Sequence, residues 1–375
     1  MIKKIVFILF FIFAFSLPVC AENYDIDGIY KEQYENSNFD SLYDLIDEDT
    51  KRIIDEFKFY PDSIDNVGDI TLEKVLDLLI YFFKDGIKTP LAVFISILGA
   101  CVLIGTVKAI EPEINRISIT DISGICVVAV AIITPAFVFF KAVSSAIKGA
   151  AVFMSGFIPV FSGILVSSGR PTTSTLTSAT LLISSQVCEQ IFTFIILPVV
   201  SVYLAITVAS SFTDKLNIEK ISASIQKGVS FCMTTIMALF SAVLSIQSLI
   251  GSSADSLSLR AFRMIAGSTP IIGGVVSEAT GIVSSCLNTL KNSAVKYAVI
   301  CFAVLFLPII IQLILWRLSM FCGGIVAELF GSKKISGLVS SVGYAFGVVT
   351  SVTVNTFIMF VISLTVIMMS SGAVL

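Results

Sequence analysis

The chain has 375 residues, of which 56% are hydrophobic and 14% charged, with a mean hydropathy of +0.96 and a net charge of −3. Soluble domains carry about 25% charged residues, so the whole cannot be an ordinary soluble domain. The slightly acidic balance gives no footing for a nucleic-acid partner, and none is expected.

The chain opens with MIKKIVFILFFIFAFSLPVCAENYD, in which two lysines precede an apolar core, Pro18, and then Val19-Cys20-Ala21. Slim residues at the −3 and −1 positions predict a signal peptide over 1–21, cleaved after Ala21. Retention of the stretch as an anchor is the other reading. Residues 22–71 form an acidic exported segment with scattered aromatics, either a solvated cap or a docking surface. LEKVLDLLIYFFKDGIK (72–88) places Leu72, Val75, Leu76, Leu79, Phe82 and Phe83 on one face, which predicts an amphipathic helix on the membrane surface.

Long uncharged runs follow at 89–107, 122–140, 149–169, 190–213, 228–254, 297–316 and 335–375. A helix crosses a hydrocarbon core of about 30 Å with roughly 18–20 apolar residues, and each run is long enough. The fold class expected is therefore all-α, a polytopic integral membrane protein. The stretch 264–290 is the doubtful span, so seven or eight transmembrane helices are expected, the first two within 89–148.

Two stretches break the apolar pattern alike. GFIPVFSGILVS holds Gly156, Pro159 and Gly163; GSTPIIGGVVSE holds Gly267, Pro270 and Gly274, about 111 positions later. Pro198 in ILPVV and Pro308 in FLPII follow at a similar offset, and EKISASIQKGVSF faces KKISGLVSSVGYAF. Landmarks in one order at near-constant spacing suggest a duplication, 149–251 and 260–371. Three candidate spans in each unit would invert one against the other, as in many transporters. Proline removes a backbone donor and glycine weakens a helix, so each Gly-x-x-Pro unit could open a turn toward protein or water. The same small residues equally suit close helix packing.

Glu189 and Glu278 are the carboxylates that stand out in apolar surroundings. An ionisable group at membrane depth often marks a pathway or buried pair, although either could sit in a loop or at an interface. Seven cysteines lie in apolar stretches, no CxxC occurs and histidine is absent, so neither a disulfide framework nor a metal site is expected. Without a histidine base, a G-x-S-x-G elbow or a Walker loop, no enzymatic activity, catalytic residue or cofactor is expected.

SGFIPVFSGILVSSG, ILPVVSVYLAI, SIQSLIGSSADSLSLRAFRMIAGSTPIIGGVVSEATGIVSSCLNTLKN and FLPIIIQLILWRLS resemble the stage III sporulation protein AE family of endospore-forming Firmicutes. The likeness covers about 90–375 and is most specific over 245–292. It implies a subunit of a channel-like secretion apparatus between mother cell and forespore, in the mother-cell-derived outer forespore membrane. The N-terminal segment would face the intermembrane space. Implied partners are membrane lipid, the other stage III A proteins (AA to AH, with the ATPase AA and the ring-forming AG and AH) and, through them, forespore protein Q. The alternative is an autonomous secondary transporter with Glu189 or Glu278 coupling to ions.

Overall fold

A computed structural model describes residues 41–44, 46, 48–57, 72–108, 119–167, 170–212, 218–267 and 273–370. The expected signal peptide, most of the acidic segment and Pro270 lie outside the described residues.

Every described element is helical. In chain order they are α1 (Ser41–Asp44), α2 (Glu48–Phe57), α3 (Leu72–Gly86), α4 (Lys88–Lys108), α5 (Ile119–Ser167), α6 (Pro171–Gln190), a π-helical turn (Ile191–Ile196), α7 (Leu197–Ser211), α8 (Ile218–Gly267), α9 (Gly273–Leu329) and α10 (Lys333–Ser370). Six stretches among the described residues are long and apolar enough to cross a membrane. The chain is an all-α polytopic membrane protein.

Among the described residues six such stretches, rather than seven or eight, are found because α5 fuses two expected spans into one helix of 49 residues. The linking sequence KAVSSAIKGA carries no proline, and its alanines and lysines favour helix, so nothing ends the helix there. Likewise α9 runs 57 residues from the second Gly-x-x-Pro unit through the run at 297–316. The prolines do not break these rods: Pro135 and Pro159 sit inside α5 and Pro308 inside α9. At Pro198 the ladder widens instead. The Leu197 N–H donates to the Phe192 carbonyl five residues back, which forms the π turn.

The core is an aromatic column. Phe153 meets Phe302 edge-on at 5.4 Å, Phe302 stacks on Phe360 at 4.8 Å, and Trp316 stacks on Phe346 at 4.7 Å. These pairs also fix direction. Phe139 lies by Trp316 while Phe153 lies by Phe302, so α5 and α9 are antiparallel. Numbers fall along α10 as they rise along α9, so these two are antiparallel as well. Cys188 contacts Met359 and the Tyr203 hydroxyl donates to the Ser341 carbonyl, so α6–α7 runs against α10. Thr173 and Thr180 meet Asp255 and Gln247, so α8 runs against α6.

The expected inversion of the two units is therefore corrected. α6–α7 and α9 point one way; α8 and α10 point the other. Residues 149–167 are the far end of α5 rather than a crossing of their own, so each unit adds two full rods, an even number, and its successor starts in the same orientation.

The acidic N-terminal segment folds back on the bundle where it is described. Leu42, Ile46 and Ile54 are buried in the common core, and the Tyr43 hydroxyl donates to Asp55 at 2.6 Å. α3 is amphipathic as expected, but with a divided apolar surface. Leu78 and Phe82 are buried, whereas Leu76, Ile80 and Phe83 form an exposed stripe. α9 ends on Gly331, whose φ of 72° lets the chain turn into α10.

Candidate functional site: a hydroxyl seam and an interfacial cleft

α6 is the least apolar of the long helices, and its inward face is built of hydroxyls. Thr173, Ser174, Thr177, Thr180, Ser184 and Ser185 are all buried. A proline at its first turn suits the N-terminus, where an N–H has no helical partner anyway. The next two amides, Thr172 and Thr173, donate to the two Asp255 carboxylate oxygens at 3.1 and 2.8 Å. The positive end of a helix dipole favours that carboxylate. Asp255 is 2% exposed. Burial alone would raise its carboxyl value, but the hydrogen bonds from Thr173 and Thr172 together hold it below the ordinary one.

Arg170, also buried, precedes the same helix; burial lowers its pKa, and the Asp255 charge opposes that shift. Two and one turns before Asp255 on α8, Gln247 and Gly251 continue the contact. Gln247 pairs with the Thr180 hydroxyl. A Cβ at Gly251 would stand 2.9 Å from the Thr173 Cα, so only glycine lets the two backbones approach this closely. On the other flank, the Ser162 and Ser174 hydroxyls are 2.7 Å apart. α5, α6 and α8 are thus laced by side-chain hydrogen bonds at one end of the bundle.

Midway along the bundle, a cleft of about 880 Å³ opens between α2, α3, α5 and α9. Its charged walls are Arg52, Asp85 and Lys148, and its floor includes Gly149, Pro308 and Gln312. Asp85 also pairs with Lys88 at 2.8 Å.

The residues singled out from sequence fall in several places. Pro308 lines the cleft. Pro159, Pro198 and Gly163 are exposed, and Gly156 is half-buried. No atom lies within 4 Å of where a Gly163 Cβ would stand, so this glycine makes no close contact within the chain. Gly267 ends α8 and Gly274 lies in the first turn of α9; their surroundings, like those of Glu278 on α9, lie outside what is described. Glu189 is half-buried near the end of α6, within a continuous helix rather than a loop. Asp255, Gly251 and Gln247 were not anticipated. They sit in SIQSLIGSSADS, whose four-residue spacing of Gln, Gly and Asp was the available signal. No cluster of three metal-ligating side chains occurs among the described residues.

A sequence profile described as Stage III sporulation protein AE matches residues 56–371. The chain belongs to the stage III sporulation protein AE family. Stage III sporulation protein AE of Bacillus subtilis (strain 168) is 25% identical over 231 residues. That alignment takes in 60% of this chain and 56% of the relative, little more than half the relative's length. No solved structure matches. The family is one of sporulation proteins, and the long apolar helices are those of a membrane protein.

Proposed function

We propose that the chain is a non-catalytic membrane subunit of the channel or secretion complex linking mother cell and forespore, serving as scaffold or as part of a pore wall. The observation that carries this reading is the filled interior. Phe140, Phe157, Phe161, Phe302, Phe306, Trp316, Phe346 and Phe360 are fully buried along the bundle axis. A column packed with aromatic rings leaves no aqueous path among the described residues of one copy, which favours a conduit between chains. In this reading the chain sits in the outer forespore membrane with its acidic segment toward the intermembrane space. Its partners are the stage III A proteins AA to AH and, through them, forespore protein Q.

The test is cross-linked isolation of tagged chain at native levels from sporulating cells. Co-recovery of other stage III A proteins, with loss of late forespore gene expression on deletion, is the expected result. Gradient-driven solute accumulation by the purified chain alone in liposomes, abolished by Glu278→Gln, would replace the subunit with an autonomous transporter.

A further inference from the structure

The rods are too long for one bilayer. At about 1.5 Å per residue, the 49 residues of α5 reach about 73 Å. Fitting them inside even the full headgroup-to-headgroup thickness of about 45 Å would need a tilt of more than about 50°, outside the roughly 0–40° range of membrane helices. Some of the bundle must stand in water or against protein, and three features say which part.

The first is α4. Its 21 residues, bounded by Lys88 and Lys108, measure about 31 Å, one hydrocarbon thickness. The second is a charged level at its start. The Ser319 hydroxyl donates to the Pro90 carbonyl at 2.7 Å, and Phe139 stacks near Trp316. Lys88, Arg317 and Lys141 therefore share one height, and α3 lies against α9 there, with Gly86 beside Gln312. The exposed stripe Leu76, Ile80 and Phe83 gives α3 an apolar underside suited to the same headgroup boundary.

The third is a change in outer surface along α5, where charge enters beyond residue 140. Between 122 and 138, the exposed face of α5 is Ile122, Ser123, Cys126, Val127, Val130, Thr134, Phe137 and Val138. Beyond the charged level it becomes Lys141, Ala142, Ser145, Lys148, Val152, Ser155, Pro159, Gly163, Val166 and Ser167, with two lysines and three serines where the first stretch has no charge. On α9, Lys296 is exposed six residues past the point where Phe302 meets Phe153, deep in this second half. A lysine facing hydrocarbon there would be far from either boundary.

We infer that the lipid belt covers only the half of the bundle between the α4 termini. The other half, with α5 from Lys141 to Ser167, α6 and the facing part of α8, projects about 40 Å from the bilayer. It leaves on the side that bears α2 and α3. Arg170 and Asp255 then sit at the tip of a column, not at membrane depth. This rests on the membrane reading alone and holds whatever the assembly transports.

Full-length protein in nanodiscs, where both faces meet water, tests it. Single cysteines are placed at Leu103, Val130, Ser155 and Gln186 in a background with the exposed Cys126 and Cys232 changed to alanine. S155C and Q186C should react with a water-soluble maleimide as fast as in detergent, and L103C and V130C at least ten-fold slower. Protection of S155C and Q186C equal to that of V130C, or ready reaction of V130C, overturns the inference. Lysine substitution gives an independent readout. Ser155→Lys should leave the yield of monodisperse inserted protein unchanged, and Val130→Lys should sharply reduce it; equal loss from both also overturns it.

Discussion

Asp255 and Thr173, 82 positions apart, are joined by a 2.8 Å hydrogen bond from the Thr173 amide to the Asp255 carboxylate. The same carboxylate takes the Thr172 amide, so one side chain of α8 closes the start of α6. Removing it strands two helix-terminal donors and leaves Arg170 without its neighbouring negative charge. Asp255→Ala should therefore destabilise the purified protein by about 1–3 kcal/mol, with Asp255→Asn milder because one oxygen survives. Thermal unfolding in detergent measures both.

The same contact predicts an acid sensitivity. The Asp255 carboxyl is held below its ordinary value in the folded chain. Its stabilising contribution is therefore present above the unfolded-state pKa of about 3.9 and is lost as pH falls through the lower folded-state value. Melting temperature followed downward from pH 6 should drop less steeply below about pH 4 in Asp255→Asn than in the parent.

Two glycines should respond oppositely to the same change. An alanine at 251 drives its Cβ to 2.9 Å from backbone of α6, so the helices must part, at a cost of about 1–3 kcal/mol. At Gly163 nothing stands in the way, and alanine should be neutral or stabilise by about 0.5–1 kcal/mol through helix propensity. A paired comparison of melting temperatures checks this. Equal losses at both positions would mean that Gly163 packs against another molecule.

The direction of the helices places the α7–α8 and α9–α10 turns at one end. Cysteines introduced at Phe212 and Phe330, both exposed, should be labelled by an impermeant reagent from the same side of sealed vesicles. Opposite sidedness would restore the inverted arrangement.

Trp316 is the chain's single tryptophan and is fully buried, stacked on Phe346. Its fluorescence should be blue-shifted in the parent and should move to the red in Phe346→Ala, which opens one face of the ring. Trp316→Ala itself should cost about 3–5 kcal/mol, read as a lowered melting temperature.

Much of the architecture was legible in the chain. Hydropathy marked the chain as a polytopic helical membrane protein, and the apolar periodicity of 72–88 falls on α3. Helix count and orientation were not legible, because charges at Lys141 and Lys148 look like a loop in sequence although lysine is a good helix former. Proline likewise signals a break, yet Pro159 and Pro308 sit in uninterrupted helices and Pro198 is absorbed by a π turn. The latch at Asp255 escaped notice because its partners are backbone amides, which every residue except proline carries and no motif advertises.

An uninterrupted α5 also has a mechanical meaning. The helix runs continuously through Pro135 and Pro159, so a lean at one end is carried along the rod. It acts as a lever: about 5° of lean at the bilayer swings a point 40 Å away by about 3–4 Å. Events within the membrane would thus arrive at the Arg170 end as a displacement of atomic size, in step with the acidic α8 carboxylate that grips the neighbouring rod.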